Sequence, residues 1–204
     1  MSNTYRDVEQ DVAWLKSLAE AGQAAPLQTG PYLVAGGVWF GGASFLLALA
    51  QLGVVGMSNN MVNWVWIAAA AGFAVTLTML IRRDRARPES GHNRLINATW
   101  GAAGVGLFVF WLATAVMAFR LGDGQIMATM ALAVLAIYGI VWWIKGTLTG
   151  AVWMRTIALL SFASTLPVAL AASTSYVWVA YCLALVCSAL LPGLYLLRSG
   201  GRAV

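Results

Sequence analysis

Six apolar stretches without a run of charge, each about as long as a bilayer is thick, constrain this chain more than any other feature. They cover residues 32–52, 61–81, 95–119, 125–144, 154–172 and 176–197. A hydrocarbon core of about 30 Å takes about 20 helical residues. Helix is the required state because lipid offers no partner to a free N–H or C=O. The breaks between the stretches are polar or glycine-bearing, as at 53–60, 82–94, 120–124, 145–153 and 173–175. The expected fold is all-α: a polytopic membrane protein built as a six-transmembrane-helix bundle, preceded by an N-terminal cytoplasmic amphipathic helix. The implied division is 1–30 for that segment, 31–198 for the transmembrane domain and 199–204 for a cytoplasmic tail.

Composition agrees. Only 9% of the 204 residues are charged, where a soluble domain carries about a quarter. The opening MSNTYRDVEQDVAWLK has no basic region running into an apolar core. No cleavable signal peptide is therefore expected, and the whole chain reads as mature protein.

A net charge of +5 could suggest nucleic acid. The basic residues sit instead where membrane topology needs them, so no nucleic-acid partner is expected. Arg6 and Lys16 precede the first span, and Arg82, Arg83, Arg85, Arg87 and Arg94 lie between the second and third. Lys145 and Arg155 flank the fourth loop, Arg198 and Arg202 follow the last span, and Arg120 alone falls on the other side. Cytoplasmic loops hold the excess of Lys and Arg, which places both termini in the cytoplasm. Aromatic belts give the same orientation: Trp64, Trp66, Tyr176 and Trp178 at the outer boundary, Trp100, Trp142, Trp143 and Trp153 at the inner one.

Before the first span, Val8, Val12, Leu15 and Ala19 recur at helical spacing, and Trp14 and Leu18 widen the stripe. Thr4 with Asp7 resembles a capping box, and Gly22 and Pro26 end the segment. Residues 1–30 carry −2, whereas 82–94 carry +3. The stripe has three possible covers: the lipid surface, the chain's own Arg-rich loop, or a partner that would meet Val8, Val12 and Leu15.

Chemistry is sparse. No ionisable residue is expected well inside a span, whereas ion-coupled transport ordinarily needs one. Haem would need axial ligands, yet His92 is the single histidine and falls in a loop. No phosphate loop, nucleophile elbow or zinc motif occurs. Cys182 and Cys187 point about 140° apart on a helix and read as free buried thiols. The expectation is therefore no catalytic residue, no metal and no cofactor. Most span hydroxyls, among them Thr99, Thr114, Ser161, Ser164 and Ser188, can return to the carbonyl one turn back.

Small residues mark close helix contacts. Gly37 and Gly41 form a GxxxG in the first span, and Ala98, Ala102 and Gly106 recur every four along the third. Such faces pack inside the bundle or against another subunit, so Gly37 and Gly41 join the candidate partner-binding residues. Pro167 in the fifth span and Pro192 with Gly193 in the sixth should kink their helices. With Asn97 the two prolines are the residues to examine for a transport path, since transporters expose backbone at broken helices.

Several segments resemble uncharacterised bacterial inner-membrane proteins of about this length: DVAWLKSLAEAGQAAPL at 11–27, NRLINATWGAAGVGLF at 93–108, YGIVWWIKGTLTG at 138–150 and LLPGLYLLR at 190–198. The resemblance implies an inner-membrane location and carries no activity and no functional residue with it. The sequence thus points to a non-enzymatic accessory or interaction subunit, with the lipid bilayer and another membrane or cytoplasmic protein as partners. The alternative is a transporter or channel for a small neutral or apolar solute.

Overall fold

A computed structural model describes residues 29–84 and 91–199. The amphipathic stretch with Val8, Val12 and Leu15, residues 85–90 of the Arg-rich loop, and the tail from 200 lie outside the described residues. Every regular element among the described residues is helical: α1 (Gly30–Gln51), α2 (Asn59–Asp84), α3 (Gly91–Leu121), α4 (Thr129–Thr149), α5 (Val152–Leu170), α6 (Val177–Leu185) and α7 (Leu191–Arg198). A 3-10 turn, Gly124–Ala128, leads into α4, and a π-helical turn, Val186–Leu190, joins α6 to α7 as one sixth span. Six helices are long and apolar enough to cross a membrane. At 1.5 Å per residue, the 22 residues of α1 cover about 33 Å.

Local chemistry sets the ends. Pro31 opens α1, where its missing N–H costs nothing. Gly150, at φ 71°, stops α4 in the left-handed region that a side chain would resist. Asp123 caps the 3-10 turn by accepting from the Gln125 N–H at 2.8 Å.

Packing is uneven. α1 is central, touching α2, α6, the π turn and α7, while α4 and α5 form a close antiparallel pair across a two-residue turn. Half of α1's membrane window is buried, and 44% of the sixth span's, against 6% for α2 and for α3. α2 rests on α1, and α3 on α4.

Glycine permits the tightest contacts. A Cβ on Gly37 would lie 2.8 Å from the Leu190 Cβ and 3.0 Å from its backbone. The Gly37 face of the first span is thus taken up by the sixth. Gly41 is also buried, and its carbonyl accepts from the Cys182 thiol at 3.5 Å. Gly72 in α2 leaves room for the Trp39 ring, whose indole N–H donates to Thr76 Oγ1 at 3.0 Å. Trp39 is therefore a helix-contact residue, whereas Trp111 is exposed and stacked on Phe108.

Two buried clusters fill the two ends of the bundle. One gathers Leu33, Ile96, Trp142, Ala151, Met154, Ala158 and Leu196, at the end where Arg82, Arg83, Arg94, Lys145, Arg155 and Arg198 also lie, hereafter the basic end. The other gathers Ala131, Leu135, Val168, Val177, Tyr181, Ala184 and Leu185, toward the Arg120 end.

Candidate functional site

The chemistry of this bundle is concentrated at its basic end, around Trp142 and Lys145. The sequence suggests that Lys145 opens a loop. The helix instead continues through it to Thr149, and Lys145 is 1% exposed. Helix α4 can carry the charge inward because three neighbours receive it. Nζ donates to Thr29 Oγ1 at 3.0 Å, lies 5.0 Å from the centre of the Trp142 ring, and belongs to the last turns of a helix whose carbonyl end favours a cation.

Trp142, expected in an interfacial belt, is wholly buried. The reason lies in the sixth span. Pro192 has no N–H and cannot bond the carbonyl four residues back, that of Ser188. The helix widens into its π turn just before Pro192, and the released Ser188 carbonyl accepts the Trp142 indole N–H at 2.8 Å. A break that could have presented backbone to a solute is closed by a side chain of the same protein.

Aromatic rings continue outward from Trp142. Trp100 meets it edge to face at 6.3 Å and meets Tyr138 at 5.4 Å. On the other side Trp153 lies 5.8 Å from Trp142 and 5.1 Å from Tyr195. The layer joins α3, α4, α5 and α7. Trp143, the next residue, is the exposed one and fits the belt that the sequence suggests.

The three indole N–H groups of this layer can only donate, while the hydroxyls of Tyr138 and Tyr195 can also accept. The indole nitrogens of Trp100 and Trp153 and Nε of Arg155 are buried without an acceptor. Arg155 sits against Gly146 across the α4–α5 turn, its Cγ 2.7 Å from where a Gly146 Cβ would be. Two carboxylates lie among the described residues. Asp84 accepts from Tyr32 at 2.9 Å and pairs with Arg83, and Asp123 is at the other end. Among the described residues there is no group of His, Cys, Asp and Glu able to hold a metal.

The residues singled out for a transport path are not brought together. Asn97 is half-buried at the basic end of α3, with its side chain engaged. Pro167 is exposed on the outer face of α5, toward the far end, and Pro192 is buried against α1. The span hydroxyls do return to the backbone: Thr99 to Leu95, Thr114 to Phe110, Ser161 to Ile157, Ser164 to Leu160 and Ser188 to Ala184. Cys182 and Cys187 are free thiols.

Lys145 and Trp142 escape a reading by charge and periodicity, although two signals point to them. A stop at Gly150 places Lys145 inside helix α4, three residues beyond Trp142 on the same face. A proline at 192 leaves a buried carbonyl at 188 in search of a donor. The chain matches no protein-family model, no curated protein and no solved structure, so these contacts carry the functional argument by themselves.

Proposed function

We propose that this protein is a non-enzymatic subunit of the bacterial inner membrane that works by associating with another membrane protein or a cytoplasmic partner, both termini being cytoplasmic. One observation carries the reading. Helix α3 rests on the bundle mainly through α4 and the turn before it, while Ala98, Ala102 and Gly106 are exposed. A Cβ added at Gly101, Gly104 or Gly106 would meet nothing within 4 Å. Lipid can cover large apolar side chains at no cost, so exposed Phe and Leu call for no partner. Small residues in a row are different, because they let a second backbone approach closely and gain dispersion contacts that lipid tails supply less well. The orientation rests on the gathering of Lys and Arg at one end.

The test is purification of the full chain in a gentle detergent from the cell that makes it, followed by mass spectrometry of what accompanies it. The expected result is a stoichiometric partner that is retained by the wild type and lost from Ala102→Leu with Gly106→Leu, two changes that leave the bundle's own contacts untouched. Retention by the double variant would remove α3 from the interface. Orientation is checked with a reporter active only in the cytoplasm, which should work after Val204 and fail at Ser58 or Thr174.

A further inference from the structure

We propose that α3 pairs with α3 of a second copy of this chain, along a seam of Gly101, Gly104, Phe108 and Trp111. These four recur at intervals of three, four and three residues, the spacing that keeps one helix against another along its length. All four are exposed, Phe108 at 62% and Trp111 at 44%. A Cβ added at Gly101 or Gly104 would meet nothing within 4 Å. Ala102 and Gly106 each stand two residues from Gly104, about 200° round the helix, so the seam is a second face of α3, separate from theirs.

Exposed rings alone call for no partner in lipid, but an indole N–H does. Trp111 stands nine residues from Arg120 and seventeen from Arg94, about 14 Å and about 26 Å along the helix, well within the hydrocarbon. Acyl chains offer no acceptor at that depth. Trp39, midway along α1, donates to Thr76 Oγ1 at 3.0 Å, whereas Trp111 stacks on Phe108 and has no acceptor among the described residues.

The occupant follows from what the seam offers. Elsewhere in this bundle a glycine notch is filled by a ring from the facing helix: Gly72 takes Trp39, and Gly139 takes Phe162. Gly101 and Gly104 are empty notches, and Phe108 is an unseated ring one turn along the same face. Side chains on a helix lean toward its N-terminus, so the Phe108 ring stands over the level of Gly104. Copies of one membrane protein share one orientation, so a two-fold axis between them runs along the membrane normal and brings equal heights together. Each Phe108 then faces the Gly104 notch of the other copy, and the same contact is made twice. A different protein would have to match both notch and ring, whereas a second copy does so by symmetry. Close backbone approach at the glycines also brings carbonyl oxygens, each with a second lone pair, toward the Trp111 N–H. Arg94, two steps further along the repeat, lies at the basic end, where helices crossing at about 20° have parted and salt screens like charges.

The test uses the full chain in liposomes of phosphatidylethanolamine and phosphatidylglycerol, with donor- and acceptor-labelled copies mixed at increasing protein-to-lipid ratio. Energy transfer should saturate and be diluted out by unlabelled chain. Gly104→Leu should raise the half-dimerising ratio at least about tenfold by filling the notch. Trp111→Phe keeps a ring and removes the N–H, and should raise it about threefold, the size of an interhelical hydrogen bond in a membrane. Gly106→Leu should leave it as it is. In a chain with Cys182 and Cys187 replaced by Ala, oxidation should link Gly104→Cys to its own counterpart and leave Gly106→Cys unlinked. A chain that is monomeric at every ratio, a Gly104→Leu variant that pairs as tightly as the wild type, or equal linkage at the two positions would each overturn the seam. A monomeric chain that still co-purifies with a different stoichiometric protein would sink the pairing alone and leave association with that partner standing.

Discussion

The first and third spans are both long and apolar enough to cross a membrane, yet half of the first is buried and only 6% of the third. Both carry small residues at four-residue spacing. In α1 the Gly37 face meets the backbone of Leu190, whereas in α3 the Gly106 face meets nothing. The contrast shows that a small-residue motif specifies how close a neighbour can come and leaves open which neighbour comes. In a bilayer the choice falls to the side chains around the motif, since burial as such gains little there. Around Gly37 those are residues such as Leu33, Leu47 and Leu190, already turned inward; around Gly106 they are Val105, Phe108 and Val109, turned outward.

Glycine substitution breaks the contrast most sharply. Gly37→Leu forces a side chain into the Leu190 backbone and should cost about 3 kcal/mol, the upper end of overpacking effects. Loss of a monodisperse peak in detergent, or a thermal midpoint lowered by many degrees, is the expected result. Gly106→Leu should lower neither. Equal damage from the two would mean that the third span is packed after all.

Next in size is the bond between Trp142 and the Ser188 carbonyl. Trp142→Phe keeps a ring but orphans that carbonyl, at a cost of about 2 kcal/mol. Pro192→Ala restores a backbone donor four residues on. Combined with Trp142→Phe, it should recover part of the loss. Thermal unfolding of the two single variants and the double one measures the coupling, and strict additivity would show that the proline and the indole act separately.

A smaller effect tests how firmly the second span is held. Thr76→Val removes the acceptor for the Trp39 N–H and should cost about 0.6 kcal/mol, the average of interhelical hydrogen bonds in membranes. The ring stays seated at Gly72, so Gly72→Leu, which expels it, should detach α2 far more effectively. Crosslinking between cysteines placed at the basic ends of α1 and α2 would report the difference.

The spans were legible because the cost of putting charge or bare backbone into lipid is large and local. Boundaries were less so, and Lys145 shows why. A lysine reads as the end of a span unless something receives it, and its receivers are Thr29, 116 residues away, and a tryptophan whose burial is decided by a proline in another helix. Partners so distant leave no periodic trace. Pro192 was legible as a break, but the use made of the freed carbonyl depends on which face of α4 meets α7. Gly37 was legible as a contact, without its partner.

The wide turn at Val186–Leu190 has a consequence for alignment within the sixth span. A π turn accommodates one residue more than an α turn, and one residue is about 100° of rotation. In α-helical count, everything after Leu190 is therefore out of phase with everything before it. Upstream, Tyr181, Ala184 and Leu185 turn into the cluster at the Arg120 end; downstream, Gly193 turns onto the Val34 backbone and Leu196 into the aromatic layer. The turn takes up one residue beyond α-helical length, so loss of a single residue from it would return the span to plain α-helix with Gly193 and Leu196 still turned inward.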